Sequence, residues 1–152
     1  VRGKKYEVRN VFELLCRKLY IYDNLPKNKN MRIDMKARTK KFTIDCAILC
    51  SKLPHSREFN AYVNQLIRSS SSVGANYRAS QRAKSTADFI NKLKIVEEEA
   101  DESNFFLEII LEINKNQELK AELESLLKEG NEILAIIVAS IKTSRNNQNS
   151  KK

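Results

Sequence analysis

The sequence predicts an all-α protein, an antiparallel up-down four-helix bundle, from three observations. Apolar and small residues recur at alternating spacings of four and three, which places their side chains on one stripe of a helix. The 152 residues include only three glycines and two prolines, and the alternation typical of strands is almost absent. A chain of this length is expected to form one domain with a sizeable core.

The second and third predicted helices form the centre of this arrangement. The second runs from about Arg57 to Gln81, and its stripe consists of Phe59, Val63, Leu66, Ser70, Val73, Tyr77 and Ser80. The stripe of the third consists of Phe89, Leu93, Val96, Ala100, Ser103, Leu107 and Ile110. The connection near Lys84 is short, so the two helices are expected to pack as antiparallel neighbours. Ser85 is expected to cap the third helix, with Asp88 in a capping-box position.

The first and fourth predicted helices flank this pair. The first begins near Thr39 to Lys41 and ends before Pro54, because proline disfavours helix in the residue before it. Its stripe is Phe42, Cys46, Leu49 and Leu53. The fourth runs from about Glu118 to Lys142, with the stripe Leu119, Leu123, Leu126, Gly130, Ile133 and Ile137. Its apolar face is widened by Leu127, Leu134, Ile136, Val138 and Ile141. Contacts buried between subunits are a natural explanation of this extra width.

The predicted boundaries divide the chain into three parts. Residues 1–38 form a basic extension and linker, 39–142 form the bundle, and 143–152 form a polar tail that is expected to be disordered. An additional N-terminal helix would carry Val8, Phe12, Leu15, Leu19 and Tyr22 on one face. One hypothesis takes Met31 as the true start of the protein. The alternative is an amphipathic extension that docks on the bundle or on a partner.

The formal net charge of +9 is unevenly distributed along the chain. Residues 1–41 contain thirteen Lys and Arg against four acidic residues, whereas residues 42–152 contain fifteen of each. The predicted bundle is therefore neutral overall, and attraction to phosphate depends on where the basic residues lie. The candidates for contact with RNA or DNA are Lys36, Arg38, Lys40, Lys41, Arg78, Arg82 and Lys84. The alternative is that these charges only solvate the helix ends.

No arrangement of residues in the sequence indicates catalysis, so the protein is predicted not to be an enzyme and to need no cofactor. The only histidine, His55, lies in the predicted loop after Pro54 without catalytic partners nearby. The serines at 69–72 lack a visible base or oxyanion site, and we interpret them as small residues that allow close helix packing. Cys46 and Cys50 are interpreted as buried apolar residues rather than as a metal or redox pair.

The third predicted helix carries an acidic cluster of Glu97, Glu98, Glu99, Asp101 and Glu102. In an antiparallel pair that turns near Lys84, Arg68 faces this cluster and is predicted to pair with Glu98 or Glu102, which would fix the helix register. A metal site at the cluster is not expected, because a di-iron bundle needs histidines on its helices.

No apolar run approaches the ~20 residues that a membrane span requires. No signal peptide opens the chain, so a cytoplasmic location without membrane contact is expected.

Two segments, QLIRSSSSVGANYRASQRAKS and DFINKLKIVEEEADESNFFLEII, resemble the small bacterial four-helix-bundle proteins encoded by intervening sequences of 23S ribosomal RNA genes. The resemblance covers roughly residues 39–142. It is most specific at Gln65-Leu66-x-Arg68, Ser72-Val73-x-x-Asn76, Asp88-Phe89 and Glu102. Two positions depart from the common pattern. Asn76-Tyr77-Arg78-Ala79-Ser80 stands where Asn-Ile-Ala-Glu-Gly is usual, and Glu98-Glu99 replaces a glycine-serine pair, so the chain resembles a subgroup.

The resemblance implies an up-down bundle that assembles into a ring-like homopentamer without enzymatic activity. A related protein, the accessory factor of diversity-generating retroelements, forms a pentameric barrel with a basic surface and binds nucleic acid and a reverse transcriptase. The function implied is therefore that of an oligomeric protein that binds RNA or DNA. The alternative is a scaffold or adaptor that binds a protein through the apolar face of the fourth helix or the acidic face of the third.

Overall fold

A computed structural model describes residues 34–150 of the chain. They form four helices: α1 (Met35–Cys50), α2 (Arg57–Ser80), α3 (Thr86–Ile113) and α4 (Gln117–Asn149). No strand occurs between residues 34 and 150, and each helix packs against its neighbours in the chain, with α4 also closing on α1. The predicted all-α bundle is confirmed. The predicted N-terminal helix and Met31 lie outside the described residues.

Each helix begins at a residue whose side chain accepts hydrogen bonds from the first turn. Asp34 Oδ1 accepts from the backbone N–H groups of Lys36 and Ala37 at 3.0 and 3.2 Å. At the start of α3, the Asp88 N–H donates to Ser85 Oγ at 3.1 Å, and the Lys84 N–H donates to Asp88 Oδ2 at 2.9 Å. The cap predicted at Ser85 is therefore present, and it ends the turn between α2 and α3.

The outer helices extend beyond their predicted bounds. α1 begins at Met35 rather than near Thr39, and α4 continues past Lys142 to Asn149, so the prediction of a disordered tail is wrong for residues 143–149. The reason is the register with α3: Asn104 Nδ2 donates to Asn131 Oδ1 at 3.3 Å. In an antiparallel pair, this register places the last turns of α4 beside the first turns of α3. Ser144 is buried there, so packing extends the helix past Lys142, whereas residues 145–149 are exposed and continue the helix beyond this contact.

The core is built from the four predicted stripes. All of their members are buried except Phe59 and Val63, which are half-buried at its edge. Leu66, Val96, Leu107 and Ile133 are each 0% exposed, and burying a side chain of this size contributes about 1.5–3 kcal/mol. None of the helices in residues 34–150 has an apolar stretch long enough to cross a bilayer.

Small polar residues connect the helices across the middle of the core. The Ser69 and Ser103 hydroxyls share a buried hydrogen bond of 2.9 Å between α2 and α3. Thr43 Oγ1 donates to the Ser70 carbonyl at 2.7 Å between α1 and α2. The predicted close packing of the serine-rich segment is thus observed, and these contacts fix the axial register of each helix relative to the next.

Gly130 allows α4 to lie directly against the side chain of Asn104 on α3. A Cβ added at this position would lie 2.0 Å from Asn104 Oδ1 and 3.3 Å from Phe42 Cζ. Asn104 is only 4% exposed, so its amide has little room to move away. The contact therefore requires a residue without a side chain.

We expect Gly130→Ala to lower the free energy of unfolding by about 1–3 kcal/mol, because the new methyl group overlaps Asn104. In an open helical position, the same change would stabilise by about 1 kcal/mol. Urea unfolding followed by circular dichroism measures the effect. In an Asn104→Ala background the overlap is absent, and the substitution should then be neutral or stabilising. Equal effects of Gly130→Ala in both backgrounds would contradict this account of the contact.

Candidate nucleic-acid interface

Basic residues are concentrated at one end of the bundle. This end comprises residues 34–41, 76–96 and 139–150, which include the start of α1, the turn between α2 and α3, and the end of α4. Its three segments contain eleven Lys and Arg against Asp34 and Asp88. Four of these basic residues form ion pairs: Arg38 with Glu129 and Glu132, Lys41 with Asp45, Lys92 with Asp88 and Lys94 with Glu97. The basic residues are Lys36, Arg38, Lys40, Lys41, Arg78, Arg82, Lys84, Lys92, Lys94, Lys142 and Arg145. We term this region the basic end.

The rest of the described chain has the opposite charge balance. Residues 42–75 and 97–138 contain six Lys and Arg against fourteen Asp and Glu, five of which form the acidic cluster between Glu97 and Glu102. The bundle is close to neutral only because these two regions cancel. Summing charge along the chain therefore missed a strong polarity, which becomes visible once it is known which helix ends adjoin.

Lys36, Lys40 and Arg78 lie on adjoining surfaces of α1 and α2. Lys36 and Lys40 are one helical turn apart, and the bond from Thr43 to the Ser70 carbonyl places the start of α1 beside the end of α2. Arg82 and Lys84 continue this basic surface into the turn. The structure thus brings five of the seven predicted contact residues to one part of the basic end.

These five side chains are exposed, and none of them forms an ion pair with another residue between 34 and 150. For Arg78, Arg82 and Lys84, the nearest acidic group along the chain is Asp88, which is already engaged. A hydrogen bond from Lys92 lowers the pKa of Asp88, and the Lys84 backbone N–H adds to this effect. The cations around the turn therefore remain available to an external anion.

Arg38, in contrast, is occupied within the fold. Its Nε donates to Glu129 Oε1 at 2.6 Å, and its Nη2 donates to Glu129 Oε2 at 2.7 Å and to Glu132 Oε2 at 2.5 Å. The side chain is 19% exposed, and the hydrogen bond to Glu129 raises the pKa of Arg38. Arg38 joins α1 to α4 and is not part of the free basic surface. Lys41 pairs with Asp45 but remains exposed.

The predicted pair across α2 and α3 forms with Glu102 and not with Glu98. Arg68 Nη2 lies 3.7 Å from Glu102 Oε1, and the Arg68 side chain is 72% exposed. A pair this open to solvent contributes roughly 0–1 kcal/mol. The buried hydrogen bond between Ser69 and Ser103 is therefore a stronger determinant of the helix register than the Arg68 pair.

The described residues form no metal-binding group, and the cleft between α1 and α4 has a lining of mixed charge. A cleft of about 340 Å³ between α1 and α4 is lined by Lys41, Phe42, Asp45, Ser125, Leu126, Lys128, Glu129 and Glu132. Its basic and acidic side chains are mixed, so it presents no single charge to a ligand. No group of His, Cys, Asp and Glu in residues 34–150 has a metal-binding arrangement, and His55 is exposed.

Cys46 and Cys50 lie on α1 and face the core of the bundle, where they are 0% and 7% exposed. Burial raises the pKa of the Cys46 thiol to about 12, with a further contribution from Cys50, and burial raises that of Cys50 to about 11. Both groups are therefore neutral thiols near pH 7, and a neutral thiol is a poor nucleophile and a poor metal ligand. Their environment agrees with the interpretation as buried apolar residues.

We expect Arg38→Gln to lower the free energy of unfolding by about 1–3 kcal/mol, because it leaves Glu129 and Glu132 without their partner. Arg38→Lys should restore only part of the loss, since an ammonium group cannot reproduce the forked hydrogen bonds. Lys40→Gln, which removes an exposed and unpaired charge nearby, is the matched control and should change stability by less than about 0.5 kcal/mol. Chemical unfolding that finds Arg38→Gln as stable as the wild type would refute the proposed role.

We expect Cys46 and Cys50 to resist alkylation by iodoacetamide in the folded protein near pH 7.5 and to react in urea, as peptide mass mapping would show. The raised thiol pKa values also predict a direction for the pH dependence. Their stabilising contribution is complete below the ordinary thiol pKa of 9.0 and is lost as the pH rises towards 12. Labelling of Cys46 at the same rate in folded and unfolded protein would contradict the burial.

The comparisons with known proteins agree with this architecture. Residues 29–139 match the family described as 23S rRNA-intervening sequence protein. A crystal structure of a protein of unknown function from the S23 ribosomal protein family of Bacteroides thetaiotaomicron VPI-5482 has a TM-score of 0.63 and 31% sequence identity. That match covers 70% of this chain and 94% of the other. No curated protein matches the chain. The family match spans most of the sequence, and the chain belongs to the 23S rRNA-intervening sequence protein family.

Proposed function

We propose that the protein is a non-enzymatic homo-oligomer that binds RNA or DNA through the basic end of its bundle. The observation that carries this proposal is the group of seven Lys and Arg in that region that form no ion pair within residues 34–150, beside an acidic remainder. A polyanion is attracted to such a region because each phosphate that meets a Lys or Arg releases a condensed counterion. A cytoplasmic location, expected from the sequence, is compatible with such a ligand.

The free cations of one subunit provide only a small contact area. Lys36, Lys40, Arg78, Arg82 and Lys84 are all solvent-exposed, and single exposed charge contacts are weak. Repetition of the basic end around an oligomer would raise the affinity, because later contacts with the same nucleic acid become intramolecular. This reasoning supports the homo-oligomer, and the resemblance described above implies that it is a pentamer.

Membership of the family is compatible with the proposal. The family description refers to an intervening sequence of 23S rRNA and names no ligand, so the proposal rests on the charge distribution. Conversely, the buried cysteines are neutral and His55 stands exposed in a loop. The Ser56 hydroxyl donates to Glu58 at 2.9 Å, but this is an exposed contact at the start of α2, where Ser56 caps the helix. These features support a binding function over a catalytic one.

A second candidate function is that of a scaffold that binds a basic protein. It is favoured by Phe105 on α3, which is 55% exposed and contacts Phe106 edge-on at a centroid distance of 5.3 Å. Exposed Glu98 and Asp101 lie within two turns of Phe105, so the surface combines an aromatic anchor with negative charge. The apolar face of α4 is only partly open to a partner, because Ile136 and Ile141 are buried inside the bundle whereas Val138 is 44% exposed.

We expect the combined substitution Lys36→Gln, Lys40→Gln and Arg78→Gln to weaken binding to a labelled RNA or DNA duplex at least tenfold at low salt. The slope of log K against log salt should become shallower by about one for each phosphate that is no longer neutralised by a basic side chain. Fluorescence anisotropy at two salt concentrations gives both values.

The matched control removes the same charge from the opposite end of the bundle through Arg57→Gln, Lys115→Gln and Lys120→Gln. These three residues are exposed, so these substitutions should leave the fold intact and change binding less than threefold. Equal weakening in the two triple variants would show a response to net charge alone and would overturn the assignment of the site. Light scattering on the same samples measures the oligomeric state, and a monomer would overturn that part of the proposal.

A further inference from the structure

We infer that the basic end contacts the sugar-phosphate backbone without reading bases, so its ligand is duplex nucleic acid of unrestricted sequence. The inference rests on the proposed function and names the class of nucleic acid that this surface can accept. It follows from three properties of the basic end. Its aromatic rings are buried, its surface is wider than one helix, and its cations are dispersed over several segments of the chain.

The aromatic rings at and beside the basic end are enclosed in the core. Phe42, Tyr77 and Phe89 are all buried, so none of them presents a face on which an unpaired base could stack. Among residues 34–150, the exposed aromatic side chain is Phe105, which lies beyond the acidic cluster on α3. Stacking contributes about 1–3 kcal/mol per base in proteins that hold single strands. The described surface lacks that contribution and offers phosphate contacts instead.

The shape of the basic end prevents a helix from entering a DNA groove. Direct readout commonly places one α-helix in a major groove about 12 Å wide. Here the starts of α1 and α3 adjoin the ends of α2 and α4, and packed helices are spaced about 8–10 Å apart. The resulting surface is on the order of 20 Å across, so it meets the phosphates on either side of a groove before any side chain reaches the base edges.

The cations of the basic end are spread over three segments of the chain and do not converge on a cavity. Lys36 and Lys40 extend from α1, Arg78 and Arg82 from the end of α2, and Arg145 from α4. A mononucleotide needs several donors aimed at one point in a concave site. Spread charges instead require a ligand with repeated phosphates, and A-form and B-form duplexes both present a regular double row of them.

The acidic cluster limits how far the ligand extends along the bundle. On α3, Lys92 and Lys94 pair with Asp88 and Glu97, and five acidic residues lie within Glu97–Glu102. A duplex lying along α3 would meet these carboxylates, so repulsion keeps it off this face of the bundle.

The test uses the full chain and fluorescence anisotropy at low salt with DNA and RNA duplexes of two unrelated sequences. The dissociation constants of the two sequences are expected to agree within about threefold, and the Lys36→Gln, Lys40→Gln, Arg78→Gln variant should weaken both by the same factor. Single strands with the same number of phosphates should bind at least threefold more weakly than the duplex. Inorganic triphosphate at equal phosphate concentration should compete at least tenfold less well than the duplex.

A tenfold preference for one sequence, tighter binding of the single strand, or displacement by triphosphate as effective as by duplex would each overturn the inference while leaving nucleic-acid binding intact. Absence of salt-sensitive binding to every probe would instead overturn the proposed function itself. Phe105→Ala serves as the second variant, and it should leave binding of both single strands and duplexes unchanged. Weaker single-strand binding in Phe105→Ala would show that this ring stacks on bases and would also overturn the inference.

Discussion

The axial register between α2 and α3 is the constraint on which the rest of the molecule depends. Small side chains at Ser69 and Ser103 let the two helices approach until their hydroxyls share a hydrogen bond of 2.9 Å. A shift of one helical turn would break this hydrogen bond, at a cost of about 0.5–1.5 kcal/mol, and leave Ser103 and Ser69 bonded only to carbonyl groups of their own helices. The same register fixes the turn at residues 81–85, and thereby which helix ends lie beside Arg82 and Lys84.

Charge segregation is the functional result of that register. The start of α1, the end of α2 and the end of α4 are far apart in sequence, yet they adjoin in space and share an excess of Lys and Arg. The acidic residues of α3 and of the first half of α4 lie farther along the bundle. A neutral total charge is thus compatible with a strong local field, because a polyanion responds to nearby charges within about one Debye length.

The fold could be predicted because its signals are local. Periodic spacing placed Leu66, Val96 and Ile133 in the core, and the Ser85 cap could be identified from its neighbour Asp88. The end of α4 could not be found in the same way, because residues 143–149 have little helix propensity of their own and, among them, Ser144 alone is buried. Similarly, Arg38 looked like any other lysine or arginine of the leading segment, since its partners Glu129 and Glu132 lie on a distant part of the chain.

The polarity of a single bundle has a geometric consequence for any assembly with rotational symmetry. Rotation about an axis parallel to the helices does not turn a subunit upside down, so every copy would present its cationic tip on the same rim. The opposite rim would carry both signs of charge, with exposed Arg57, Lys115 and Lys120 beside Glu58, Glu112 and Glu118. Such a disc has two chemically distinct faces: the cationic face can bind a polyanion, and the face of mixed charge stays open to a different partner.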